Sequence, residues 1–130
     1  MAERPLRLVV LPGSYAVCRL SPGEPMLDTA LRGEFVSVTR TQHEVSVVCP
    51  EGRVPAGAQV EAGWRCLKVE GPLDFGLTGV LAALAVPLAG AGVSIFAVST
   101  YDTDYLLVKA EALERAVAAL EAAGHQLAST

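Results

Sequence analysis

The sequence predicts an α+β fold, an antiparallel sheet carrying helices on one face. Three observations predict it. The apolar period of the second half alternates as strand, helix, strand, strand, helix, strand. A run without Asp, Glu, Lys or Arg separates Asp74 from Asp102, long enough for a buried helix followed by a buried strand. The chain also repeats itself. Ser37 to Val48 (SVTRTQHEVSVV) aligns without gaps on Ala97 to Val108 (AVSTYDTDYLLV), so Glu44 falls on Asp104 at an offset of 104 − 44 = 60. The same offset carries Val9, Pro12 and Tyr15 onto Val69, Pro72 and Phe75, the mark of an internal duplication.

In chain order, Leu6 to Leu11 (LRLVVL) reads as a strand and Pro12 to Ser14 as a turn. Tyr15 to Leu20 (YAVCRL) is a further strand. Ser21 to Pro25 is a loop, and Met26 to Leu31 a short helix. Glu34 to Thr39 and Val45 to Cys49 form a hairpin around Arg40 to Glu44. Pro50 to Gly63, with two prolines and three glycines, reads as a connector. Trp64 to Val69 is a strand, and Glu70 to Phe75 a turn. A helix follows from about Gly76 to Ala89, with Asp74 as its N-cap and Pro87 near its end to kink or stop it. Val93 to Ser99 and Tyr105 to Lys109 are strands around the turn Thr100 to Asp104. Ala110 to Ala123 is a helix with Leu113, Val117 and Leu120 on one face, Gly124 serves as C-cap, and His125 to Ala128 adds a last strand. The resulting β-α-β-β-α-β order is the ferredoxin-like arrangement. The expected units are residues 1–62, a degenerate first copy, and 63–130.

Bulk properties narrow the function. Apolar residues make up 52 % of 130 residues and charged ones 18 %, so a core can form and disorder is disfavoured. The net charge of −4, with no run of basic residues, argues against nucleic acid. Cys18, Cys49 and Cys66 are odd in number and form no C-x-x-C, and MAERPLRLVVL lacks a signal-peptide pattern. A reduced, cytoplasmic protein is expected. Two histidines give a zinc site little support, and no metal or cofactor is expected. Pro87, Gly90 and Gly92 interrupt the apolar run, which reads as core rather than as a membrane span. No G-x-S-x-G, H-E-x-x-H, P-loop or G-x-G-x-x-G occurs, so an enzyme is not expected.

The two polar ends of the run would make a site for a zwitterion if they met. An ammonium needs carboxylates, and Glu70 and Asp104 are candidates. A carboxylate suits a helix N-terminus, and Gly71 allows close backbone approach. Tyr101 could cover a side chain. Alone, Asp102 and Asp104 are also ordinary turn-formers, and Glu70 an ordinary solvated strand end.

The segments LPGSYAVCRL, FVSVTRTQHEVSVVCPE, WRCLKVEGPLDFGLTGVLA and AGVSIFAVSTYDTDYLLVK resemble the bacterial ACT-domain proteins related to the animal cytosolic arginine sensor. The resemblance runs from about Leu6 to Leu120. It implies two tandem ACT-like βαββ units and a non-catalytic regulatory module that binds an amino acid at the seam between units. Matched to the family, Glu70, Gly71, Pro72 and Leu73 form the ligand-facing turn. Ser94 and Ile95 begin the partner strand, and Thr100, Tyr101 and Asp104 form the pocket wall. The animal sensor has four such units, so the resemblance implies a homodimer, and it implies a regulated protein partner. The alternative is a dimerisation or interaction module without a metabolite.

Overall fold

The computed structural model describes residues 5–25, 31–74 and 78–129. The helix expected over Met26 to Leu31 falls almost wholly outside them, as do the first two residues of the helix expected from Gly76. Among the described residues, eight strands, two α-helices and two three-residue turns of 3-10 helix follow in order. They are β1 (Arg7–Val10), β2 (Tyr15–Leu20), β3 (Ser37–Arg40), β4 (Val45–Pro50), β5 (Gln59–Val69), α1 (Val80–Gly90), β6 (Phe96–Ser99), β7 (Asp104–Lys109), α2 (Leu113–Ala122) and β8 (Gln126–Ser129). The 3-10 turns are Glu51–Arg53, after β4, and Ala110–Ala112, before α2. The fold class expected from the sequence is the one observed.

The chain divides into two compact units, one of Met1–Pro12 with Arg65–Thr130, the other of Gly13–Trp64. The division falls inside β5.

The larger unit holds the β-α-β-β-α-β order expected of the second half: β5, α1, β6, β7, α2, β8. Its strands pair as β6-β7-β5-β1-β8. Strand β1 comes from the start of the chain, runs antiparallel to β5 with Leu8 opposite Val69, and lies parallel to β8 with Leu8 opposite Leu127. The β1–β8 pair is parallel, beside the antiparallel pairs of β1 with β5 and of β6 with β7. One core joins sheet and helices: Leu8, Val10, Leu67, Val69, Leu106 and Val108 from the strands meet Leu84 and Leu88 of α1 and Ala116 and Leu120 of α2. Helices that share one core with one sheet lie on one face of it. Each leucine contributes on the order of 1.5–3 kcal/mol by leaving water.

Helix α1 corrects one expectation. Its N-cap is Gly79, without a side-chain bond, so Asp74 does not cap it. The helix runs past Pro87 to Gly90, one residue beyond the expected end, and the amide of Ala91 closes it on the carbonyls of Pro87 and Leu88.

The smaller unit pairs β3-β4-β2 with the first half of β5. Ala16, Cys18, Leu20, Val45, Val47 and Cys49 form its core. Here the connector expectation is corrected, since β5 begins at Gln59. What looked like the connector's end is a bulge. Tyr15 opposes Trp64 while Val17 opposes Glu61, so Ala62 and Gly63 face the single residue Ala16. Gly63 takes φ +83 there, and its amide donates to a Glu51 carboxylate oxygen at 2.7 Å.

The two hairpins are alike, but at another register than the sequence suggested. Ser99 opposes Asp104 and Arg40 opposes Val45 as the last pair before each turn. The equivalence is therefore 104 − 45 = 59, and the counterpart of Asp104 is Val45, not Glu44. The 3-10 turns beginning at Ala110 and Glu51 keep the same 110 − 51 = 59. Topology also replaces β1 by β2 as the counterpart of β5, because β2 lies beside β4 as β5 lies beside β7.

Candidate functional site

The two polar ends of the charge-free run meet. The amide of Leu73 donates to the carbonyl of Asp102 at 2.7 Å. The Thr103 hydroxyl donates to the carbonyl of Val69, the last residue of β5, at 2.6 Å. The turn Glu70–Leu73 is thereby fastened to the turn Thr100–Asp104. Strand order explains the meeting: β5 and β7 are neighbours, so the end of one lies beside the start of the other.

Each turn also has hydrogen bonds of its own. The Thr100 amide and hydroxyl both donate to the carbonyl of Thr103, at 2.8 and 3.0 Å, and the Thr103 amide donates back to the Thr100 hydroxyl at 3.3 Å. A threonine closing its own turn in this way holds the hairpin without help from solvent. On the other side, the Glu70 amide donates to the Arg7 carbonyl at 2.8 Å, and the Gly71–Pro72 peptide is cis.

Glu70, Gly71 and Pro72 are exposed and Leu73 is half-buried, packed against the core. Asp104 is half-buried, and its Oδ1 accepts the Ser99 hydroxyl at 2.6 Å. Such a short O–H to carboxylate bond fixes the carboxylate and leaves its second oxygen a defined direction. Tyr101 is 80 % exposed at the tip of the hairpin. Residues 70–104 contain four carboxylates and no Lys, Arg or His, so the joined turns carry negative charge.

Ser94 and Ile95 lie elsewhere. They precede β6, whereas Thr100 follows it. Five residues of extended chain place Ile95 roughly 17 Å from Thr100. The structure brings together seven of the nine expected site residues, Glu70 to Leu73 with Thr100, Tyr101 and Asp104, and leaves these two at the far end of the strand. Sequence reasoning missed Ser99, which orients Asp104, and Thr103, which joins the turns. Its signal was present in the spacing Thr100-x-x-Thr103 inside a hairpin turn.

The smaller unit offers a different surface at its own hairpin. Thr41 repeats the closing role of Thr100: its amide donates to the Glu44 carbonyl at 2.9 Å, and its hydroxyl accepts the amides of His43 and Glu44. Around it, Arg19 donates to the His43 carbonyl and Arg40 to the Glu24 carbonyl. Two guanidinium groups therefore stand at this hairpin. Among the described residues no cluster of three His, Cys, Asp or Glu could hold a metal ion, and no helix is long and apolar enough to cross a membrane.

Comparison with known proteins bears on this geometry. The family model of the ACT domain matches residues 59–122, and a second family model, of an N-terminal domain, matches residues 13–57. Over 67 residues the chain is 34 % identical to the proteins named cytosolic arginine sensor for mTORC1 subunit 1 of Homo sapiens and Pongo abelii. That segment is 51 % of this chain and 20 % of theirs, so the chain spans about a fifth of those relatives. A crystal structure of an Agrobacterium tumefaciens protein is 42 % identical, with a TM-score of 0.90 over 98 % of this chain and 95 % of that one. The regulatory subunit of aspartate kinase from Thermus thermophilus, in its ligand-free form, shares the fold at 14 % identity and a TM-score of 0.63, over 93 % and 97 % of the two chains.

Proposed function

Because this chain belongs to the ACT-domain proteins related to the animal cytosolic arginine sensor, we propose that it is a non-catalytic regulatory module that binds an amino acid at the joined turns of its larger unit. The observation that carries this reading is the 2.7 Å bond from Leu73 to Asp102, which sets Glu70 and the Ser99-oriented Asp104 at one end of the sheet. The ligand's ammonium goes to these carboxylates. Its carboxylate goes to the free N–H groups of the first turn of α1, where Ala83 is the first amide to bond back, to Gly79 at 2.8 Å. Tyr101 closes over the ligand side chain. The surplus of carboxylates favours a basic or polar side chain, and L-arginine, after which the animal relatives are named, is the first candidate.

The chain reads as a degenerate ACT-like unit followed by a complete one, working in the cytoplasm. The distance of Ser94 and Ile95 from the turns supports a homodimer, in which these residues complete a seam with a second copy. Ligand at that seam favours one arrangement of units, and a partner protein reads the shift. A thermal-shift panel of the twenty amino acids tests the reading. At least one must raise the melting temperature in a concentration-dependent way; no shift with any of them at millimolar concentration overturns it.

A second reading, a dimerisation module without metabolite, draws on α1. That helix has no charged residue, yet Val86 is 69 % exposed. The same panel separates the two.

A further inference from the structure

We infer that Thr103 is the positioning residue of this site: its hydroxyl clamps the acidic hairpin turn onto the end of β5 and so sets the spacing between the two ligand-facing turns. The inference rests on the amino-acid reading above for its consequence, but on three separate observations for its geometry. Thr103 is the one polar side chain of the two turns that is buried, at 4 % exposure, while Glu70, Thr100, Tyr101 and Asp102 around it are exposed. Its hydroxyl donates to the Val69 carbonyl at 2.6 Å, across 34 residues of sequence. Losing this donor would remove a hydrogen bond from a carbonyl at the buried end of β5.

The third observation is Gly71. A Cβ built there would stand 3.1 Å from the Asp102 carbonyl oxygen and 3.1 Å from the Thr103 Cβ. The two turns therefore lie close enough that a side chain at 71 would press on the facing turn. Glycine at 71 and threonine at 103 are two halves of one contact: the first removes the obstacle, the second supplies the bond. The Leu73 to Asp102 hydrogen bond lies between them and reports whether the contact is closed. Opening it would move Asp104, one residue beyond Thr103, relative to Glu70.

Thr103 does not itself face the ligand, so its loss should act through geometry. Thr103→Val keeps shape and removes the hydroxyl; Thr103→Ser keeps the hydroxyl. Gly71→Ala attacks the same contact from the other side. Hydrogen exchange of the Leu73 amide is read first, without ligand. It should quicken about tenfold or more in Thr103→Val and Gly71→Ala and stay near wild type in Thr103→Ser. Affinity for L-arginine, or for whichever of the twenty amino acids binds wild type, should fall about tenfold in the first two variants and be kept in the third. Unchanged Leu73 exchange in both Thr103→Val and Gly71→Ala overturns the clamp, whatever the ligand. Wild type that binds no amino acid overturns the amino-acid reading instead, and the exchange result still judges the clamp.

Discussion

His125 supplies the hydrogen bond that Pro87 cannot. Proline at 87 has no N–H to give the carbonyl four residues earlier, that of Ala83. The Nε2 of His125 lies 3.1 Å from that oxygen. Its Nδ1 accepts the Leu6 amide at 3.1 Å, which leaves Nε2 as the nitrogen that donates. One buried imidazole thus ties α1 to the beginning of the β1–β8 seam. Removing it orphans a donor and an acceptor, so His125→Ala should cost about 2–5 kcal/mol. Pro87→Ala restores a helical N–H to Ala83. In a double-mutant cycle followed by urea unfolding, the cost of His125→Ala should be smaller in the Pro87→Ala background. Additive effects would contradict the assignment.

The paired thiols of the smaller unit make an alkaline liability. Burial pushes the Cys49 thiol up to about 12, and the neighbouring Cys18 adds to the shift. Burial raises Cys18 as well, against the opposing hydrogen bond from Cys49. The folded state thus prefers neutral thiols. The stability this gives is intact below pH 9.0, the ordinary thiol value, and is lost as pH rises from there towards about 12. The loss is bounded by about 1.4 kcal/mol per pH unit per thiol. Urea unfolding across that window should show a steeper decline in wild type than in Cys49→Val, and both thiols should resist alkylation in the folded protein at neutral pH.

Arg115 of α2 caps a helix that has no cation of its own. Its Nε donates to the Ala91 carbonyl at 3.0 Å and its Nη2 to that of Gly92 at 3.5 Å, just beyond the end of α1. At this exposed position Arg115→Ala should cost about 0.5–1 kcal/mol by urea unfolding, with Arg115→Lys between the two.

Ser99 should matter to ligand and little to fold. Its hydroxyl orients Asp104 from an exposed strand end. Ser99→Ala should weaken amino-acid binding about tenfold in calorimetry while leaving the unfolding midpoint nearly unchanged.

Most strands were legible because their period and punctuation agree; Tyr15–Leu20 is observed as expected to the residue. Other features were not. The first half of β5 hides behind Gln59, Glu61 and Gly63, because a bulged strand breaks the alternation that marks one. Asp74 has the chemistry of an N-cap, yet Gly79 holds the position, since capping chemistry recurs along a polar turn. The offset of 60 against 59 is a one-residue slip between two β-rich hairpins. Strand pairing decides it: Arg40 opposes Val45 as Ser99 opposes Asp104, and that register is not visible in the letters alone. The approach of Glu70–Leu73 to Thr100–Asp104 was posed by the sequence as a question, and the strand order answers it. Thr103 escaped notice because a hydroxyl in a turn looks local until its partner, Val69, is seen.

Whether the joined turns hold an amino acid is decided by calorimetric titration of the dialysed protein with each of the twenty, beginning with L-arginine, in parallel with Asp104→Ala. Saturable binding of at least one amino acid to wild type is expected, and its loss in Asp104→Ala, with the variant still folded. Binding that persists unchanged in Asp104→Ala would contradict the placement of the site, and heats of dilution alone across the panel would contradict the amino-acid reading itself.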